Sequence, residues 1–464
     1  MFKDFFNATF LKLIGAVFEL LLQLYLARRL APELFGRYAY VVGTGMLLFY
    51  LLFGGKVKFI IKNVAVGNDI EQFLKKFRRI YTFPVIALLL AASLFTRNED
   101  LLYIVIFTFF MQLFMDENAA LFGMNKISKA LATEYILLKF LTLVFIILCA
   151  GILGGRLVFI LISTYAAYAI SFVIQKLAVL RENYKAQGEE VKHPVREVMT
   201  FQLIEVFANT FTNIPRMLQY FVAGAAQTAY FSVAAVVRNI LTFISGPTVK
   251  VFFSDFAKCF HKGDQKKLEI NYRNAARWQI YIIIPMFLSV LFYPEVIIEA
   301  FGAGYEEARI TVLLVSSATF ISLLPGPTSN LFQMIGEERF ELFSQVLAFI
   351  VFMSAMGVFL GLNIKELAVP LGLLVSSVVS VCTRTVYAIR KCRIVPYSLK
   401  ELACILTFMI TESLLMFQAK SFGLNPLLFI ISYMTIAVVL HYFLSPNPKD
   451  RKLVKELFIA IAKR

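Results

Sequence analysis

The stretch LKLIGAVFELLLQLYLARRLAPELFGRYAYVVG, residues 11–43, decides how the chain is read. Two apolar runs flank a short basic segment, and each continues far enough to make a membrane span of about 20 residues. Laying residues 8–42 over 201–235, an offset of 193, brings the stretch onto IEVFANTFTNIPRMLQYFVAGAAQTAYFSVAAV (204–236) in the same hydrophobic phase. Identities are few, but the polar positions nearly coincide. Lys12 falls on Glu205, Ala16 on Asn209, Glu19 on Thr212 and Gln23 on Arg216. A second echo places MNKISKALATEYI (124–136) over GEERFELFSQVLA (336–348). Copies separated by six spans share one orientation and are related by an axis along the membrane normal. The expected fold is an all-α polytopic membrane protein with two six-helix pseudo-symmetric lobes.

Composition agrees. Of 464 residues, 59% are hydrophobic and 16% charged, and mean hydropathy is +0.75. Soluble chains run at about 45–50% apolar and about 25% charged, and a globule of this size could not hide so much apolar surface. A soluble enzyme, a secreted disulfide scaffold and a disordered interactor are excluded. Cys149, Cys259, Cys382, Cys392 and Cys404 hold no C-x-x-C pair and read as reduced packing residues. His193, His261 and His441 form no ligand cluster, so no metal or cofactor is expected. Gly54-Gly55-Lys56 is the nearest approach to a phosphate-binding loop and lacks its spacing and hydroxyl. Any active transport must therefore draw on a gradient, a potential or a partner.

Fourteen spans are expected: 8–27, 38–55, 80–96, 101–122, 132–151, 157–175, 200–222, 229–253, 278–298, 309–332, 340–361, 367–389, 401–419 and 424–444. They divide the chain into an N-terminal lobe (1–190), a C-terminal lobe (191–390), an extra helix pair (391–445) and a basic tail (446–464). The first span contains Lys12 and Glu19, too polar for a signal peptide, and is expected to be retained. With both termini in the cytoplasm, 33 of the 46 Lys and Arg fall in inside loops, eight outside and five within spans. That asymmetry is a topology signal, so the net charge of +16 calls for no nucleic acid. The tail KDRKLVKELFIAIAKR puts Leu453, Leu457 and Ile461 on one helical face, a pattern suited to an anionic leaflet; a merely solvated tail is the alternative.

Polar faces of spans one and seven carry the chemistry. Lys12, Glu19 and Gln23 make one helical stripe, and Glu205, Asn209, Thr212 or Asn213, Arg216 and Gln219 make another. Ionisable groups inside a membrane are costly, face protein or water, and by default mark a functional path; hydrogen bonding between neighbouring helices is the plainer alternative. On spans one, seven and eight, Lys12, Arg28, Arg29, Arg216 and Arg238 face only Glu19 and Glu205. Arginine forks match phosphate oxygens, which favours an anionic substrate. Arg28, Arg29 and Arg37 serve either as interfacial anchors or to draw in an anionic head group. Asp116 and Glu117 are candidates for ion coupling or a gate, or else cap their span against Lys126 and Lys129. Glu134 and Lys139 are given no role.

Four motifs carry a family resemblance. LARRLAPELFGRYAY (26–40) resembles the first-loop signature of the polysaccharide-transporter branch of the multidrug/oligosaccharidyl-lipid/polysaccharide exporter superfamily, the Wzx-type lipid-linked oligosaccharide (O-antigen) flippases. AQTAYFSVAAVVR (226–238) is similar to the matching second-half loop, KCFHKGDQKKLEINYRNAARW (258–278) to the basic segment between spans eight and nine, and FGAGYEEA (301–308) to the turn after span nine. The resemblance implies two lobes in a V, a central cavity and alternating access in a bacterial inner membrane. It implies an undecaprenyl-diphosphate-linked glycan moved to the outer leaflet, with a polysaccharide polymerase or ligase as a further candidate partner. By position, Arg28 or Arg29, Arg216 and Arg238 would contact the diphosphate. Where the family often has an acid before the span-seven arginine, Pro215 stands here, which puts ion coupling in doubt and suits a helix that bends. Spans 13 and 14 go beyond the twelve-span core, as in peptidoglycan-precursor flippases. Such a flippase, a cation-coupled multidrug exporter and a structural scaffold are the competing readings; an enzyme is not expected.

Overall fold

The computed structural model describes residues 2–152, 156–182, 191, 194–243, 256, 259–260, 263–424, 429 and 433. The all-helical expectation holds, and no strand occurs among the described residues. Eleven described helical stretches are long and apolar enough to cross a membrane. The expected first span forms helix α1 (Phe2–Arg29) but is not among the eleven. Expected spans seven and eight lie on either side of a break at Gly224 within residues 194–243, and most of the fourteenth, with the whole basic tail, lies outside the described residues.

The chain divides into two compact units, residues 1–232 and 233–464. In the first, α1 is followed by α2 (Pro32–Val66), α3 (Glu71–Phe77), α4 (Phe83–Phe95), α5 (Glu99–Gly123), α6 (Ile127–Leu131), α7 (Leu138–Ile152) and α8 (Leu157–Arg181). Single π-helical stretches, Arg78–Thr82 and Ala132–Leu137, join α3 to α4 and α6 to α7. Helix α9 (Pro194–Phe243) crosses from one unit to the other in sequence. The second unit continues with α10 (Gln265–Phe292), α11 (Pro294–Phe301), α12 (Ala308–Leu323), α13 (Thr328–Met334), α14 (Glu338–Gly361), α15 (Ala368–Arg390) and α16 (Leu399–Ser421).

Pro32 explains the tight passage from α1 to α2. Proline fits the first turn of a helix, where its missing N–H costs nothing, and only Leu30 and Ala31 separate the two elements. What read as a loop around 26–40 is therefore mostly helix, with Arg28 and Arg29 in the last turn of α1 and Arg37 inside α2. The second half repeats the device differently. Helix α9 is broken at Gly224 (φ +85°, ψ −176°), a conformation open to glycine and strained for other residues. The 193-residue offset carries Ala31 onto Gly224, so both backbone breaks fall at one place in the repeat. Pro215, expected to bend this helix, sits in helical backbone nine residues before the break.

Small residues set the packing of the first unit. Helix α2 packs along α5, where Gly45 lies against Phe107 and Gly123 against Val64. Close approach through glycine is the usual way membrane helices associate, because lipid gives them no hydrophobic drive. The tightest approach is at Gly36, where an added Cβ would stand 1.8 Å from the Ala225 carbonyl oxygen. Gly36→Ala is expected to cost about 1–3 kcal/mol, as overpacking commonly does, and to lower the unfolding temperature in detergent. Wild-type stability would show that these two helix ends do not bear on each other.

In the second unit α10 is the buried element. Its inward residues join Phe408 and Ile405 of α16 on one side and, around Tyr272, Leu331, Phe332 and Ile394 on another. The Tyr272 hydroxyl lies 2.5 Å from the Pro325 carbonyl and 2.8 Å from Thr328 Oγ1. Helices α14 and α15 form the other close pair, with Gly372 against Phe352 and Ser376 donating to the Ala348 carbonyl at 2.7 Å. The FGAGYEEA turn links α11 to α12 with Gly302 and Gly304 both at positive φ and Tyr305 buried beneath it.

Candidate functional site

Two charge clusters stand out among the described residues of the first unit. The first is built on Glu19. Lys139 Nζ of α7 meets Glu19 Oε2 at 2.5 Å, and Gln23 Nε2, one turn along α1, donates to Oε1 at 3.0 Å. Arg216 of α9 lies within electrostatic reach of Glu19 and of Tyr38. Its side chain runs past Gly43 of α2, where an added Cβ would fall 2.9 Å from Arg216 Cδ. Arg216 Nε is enclosed and makes no hydrogen bond among the described residues. The cluster thus sets two cations against one carboxylate.

Lys139 had been given no role in the sequence, because its partner lies 120 residues away. The signal was present nonetheless: a lone lysine in LLKFLTLVFIILCA requires a counter-charge, and Glu19 stands equally alone in its run. The π-helical stretch before α7 accompanies the arrangement. Gly15 of α1 packs on it, with an added Cβ only 2.8 Å from Tyr135 Cβ. Such single-turn π segments recur at functional sites.

The second cluster ties α2 to α5. Lys56 Nζ stands 2.8 Å and 2.9 Å from the two Asp116 oxygens, with Lys56 0% and Asp116 3% exposed. Arg78, from the other π-helical stretch, reaches Asp116 Oδ2 at 3.1 Å and Glu117 at 4.0 Å, and Gln112 donates to Asp116 at 3.1 Å. This corrects the capping alternative. Lys126 and Lys129 instead hold Glu182, at 2.8 Å and 2.5 Å, and their hydrogen bonds keep its carboxyl below the usual carboxylate range. It also corrects the charge count, since Lys56, assigned to a loop, lies within α2. Arg277, likewise assigned to a loop, is buried in α10 against Glu401.

Next to Lys56, the Gly54-Gly55 pair is a seat for α9. Gln202 Oε1 accepts the Gly55 N–H at 2.8 Å, and its Nε2 donates to the carbonyls of Leu51, at 2.8 Å, and Tyr50. An added Cβ at Gly55 would lie 2.4 Å from Gln202 N, so glycine is required for the contact. Lys58–Glu205 (3.5 Å) and Lys62–Glu197 (2.5 Å) extend the same seam. At the opposite end of α2, Arg37 meets Asp100 at 2.6 Å and Glu99 at 3.4 Å, and Tyr220 donates to Asp100 at 3.1 Å. Arg37 is thereby committed to protein carboxylates and not to a head group.

The remaining expected residues are spread more widely. Arg28 and Arg29 are exposed. Asn213 and Gln219 are buried on α9, flanking Arg216. Lys12 and Asn209 lie on α1 and α9 with side chains outside the described set. Arg238 is half-buried and belongs to the second unit. In that unit Arg384 of α15 grips Glu341 with two hydrogen bonds of 2.7 Å and 3.1 Å. No cluster of potential metal ligands occurs among the described residues.

The described residues form a polytopic helix bundle with charges sequestered between its helices. Solved structures agree on the fold. The chain is similar to a lipid II flippase, MurJ, in an inward closed conformation, with a TM-score of 0.74 and 12% identity over 100% of both chains. It is also similar to an inward-facing multidrug resistance MATE transporter of the MOP superfamily, with a TM-score of 0.64 and 15% identity over 82% of this chain and 94% of that one. No family model and no curated protein matches the sequence. The fold is that of the multidrug/oligosaccharidyl-lipid/polysaccharide exporters.

Proposed function

We propose that the protein is a flippase that carries a polyprenyl-diphosphate-linked oligosaccharide, a surface-polysaccharide repeat unit, across the cytoplasmic membrane by alternating access. One observation carries the reading: in the Glu19 cluster Arg216 and Lys139 outnumber the carboxylate, and Arg216 Nε is enclosed without an acceptor among the described residues. A diphosphate supplies the missing acceptors in the geometry a guanidinium fork prefers. Gln23, Asn213 and Gln219 would meet glycan hydroxyls, and Lys12, Asn209 and Arg238 are further substrate-binding candidates. Arg28 and Arg29, exposed at the end of α1, would meet the diphosphate on its way in or out. The polyprenyl tail would stay in lipid throughout. Glu19, Asp116, Glu117 and Glu205 serve as coupling or gating groups in this scheme, with anionic lipids around the chain and a polymerase or ligase receiving the product.

A second reading, a lipid-linked peptidoglycan-precursor flippase, is favoured by the MurJ likeness, which spans the whole chain where the MATE likeness spans 82% of it. Reconstitution in liposomes with fluorescent substrates separates these readings. Polyprenyl-diphosphate oligosaccharide is expected to cross about 10–100-fold faster than the same glycan on an uncharged polyprenol, the range set by charge-assisted hydrogen bonds. Preference for the peptidoglycan precursor selects the second reading. Movement of a cationic dye alone would overturn both.

A further inference from the structure

Glu412 lies outside every group assigned so far. It is on α16, in the second unit, and is 0% exposed. One turn before it, Phe408 packs edge-on against Tyr281 of α10 with ring centroids 5.1 Å apart. One turn after it, Met416 packs with Tyr293 and Tyr433. The carboxyl is therefore held in an apolar and aromatic interface. Neither of its oxygens meets full hydrogen-bond geometry among the described residues, although the Tyr433 hydroxyl stands beside the carboxyl, and no described Lys, Arg or His pairs with it.

The contrast with the other carboxyls at membrane depth is sharp. Glu19, Asp116, Glu341 and Glu401 each meet a Lys or Arg. Among the described residues the group placed beside Glu412 is a phenol, Tyr433, while Tyr281 and Tyr293 pack with Phe408 and Met416 one turn to either side. The nearest cations along these helices are committed. Arg277 is held by Glu401 about three turns away, and Lys420 donates to the Phe292 carbonyl at 2.7 Å and pairs with Glu295 at 3.8 Å. The sequence after α16 contains no charged residue or histidine over 422–440.

A carboxylate with a phenol but no described cation beside it costs several kcal/mol, and a proton removes that cost. We propose that Glu412 is a proton-binding site in the interface between α10 and α16. The carboxylate takes a proton from water as α16 closes on α10 and returns it when the two helices part. Occupancy of the site then reports the state of this interface, independently of the charged clusters in the first unit and of whatever the protein carries.

Infrared spectroscopy of the full chain in lipid nanodiscs tests the assignment. Wild-type protein at neutral pH is expected to show the carbonyl stretch of a protonated carboxyl, shifted in heavy water and removed in Glu412→Gln, which mimics the neutral acid. An unchanged band in a folded Glu412→Gln protein would mean that Glu412 is ionised, and would overturn the proposal whichever substrate is transported. If that variant fails to fold, the wild-type chain answers alone through dicyclohexylcarbodiimide, which modifies protonated carboxyls in apolar surroundings. Peptide mapping is expected to find the adduct on Glu412 and not on the ion-paired Glu19 or Glu401. An adduct pattern that omits Glu412, in micelles that admit the reagent to neighbouring carboxyls, would equally overturn it.

Discussion

Asp116→Ala is expected to destabilise the protein by about 3–5 kcal/mol, the usual cost of removing one partner from a buried ion pair. The size follows from what is left behind. Lys56 has no access to water, and it is left with the faces of Phe53 and Phe77, at 5.6 Å and 5.8 Å from the ammonium, and with Glu117 acting on it only at a distance. Cation–π contact recovers only part of the lost attraction. The double replacement Lys56→Met, Asp116→Leu removes both charges and their desolvation together, so most of the loss should return. Glu197→Ala supplies the comparison, because its partner Lys62 is 58% exposed and surface pairs contribute about 0–1 kcal/mol. Thermal unfolding of detergent-solubilised variants reads all three. Equal stability of Asp116→Ala and Glu197→Ala would mean that the Lys56 cluster is hydrated and that the description of a buried latch between α2 and α5 is wrong.

Periodicity of apolar residues gave up the helices, since a span needs about 20 apolar residues and little else makes such runs. Their ends were less legible. Helix α2 continues to Val66 through Lys56 and Lys58, because the charges that seemed to close the span at 55 are answered by Asp116 and Glu205 from other helices. A one-dimensional reading counts such residues as loop charges; only the fold supplies their partners. The same blindness hid Lys139 and sent Asp116 toward Lys126. Conversely, the break at Gly224 falls where the 193-residue offset read from the polar positions puts the passage from α1 to α2. Gly54-Gly55 could be rejected as a phosphate loop on spacing, but its use as a seat for Gln202 needed the approach of α9.

Arg216→Ala is expected to reduce flipping of polyprenyl-diphosphate oligosaccharide by about 10–100-fold while the protein still reaches the membrane, since a hydrogen bond to a charged group contributes about 1.5–3 kcal/mol. Arg216→Lys should recover the charge but not the fork, and so only part of the rate. The two variants separate electrostatic attraction from bidentate recognition. Gly43 gives a third probe from the opposite wall. A side chain there would press on Arg216 Cδ at 2.9 Å, so Gly43→Ala should slow transport by moving the guanidinium without removing it. Glu19→Gln acts in the other direction, leaving Lys139 and Arg216 without their carboxylate and strengthening the hold on an anion. Tighter binding of this kind aids transport only until release becomes limiting. Glu19→Gln should therefore bind substrate more tightly and deliver it more slowly. Wild-type transport in both Arg216 variants would remove the cationic cluster from the substrate's path and shift the weight to a carrier of cations.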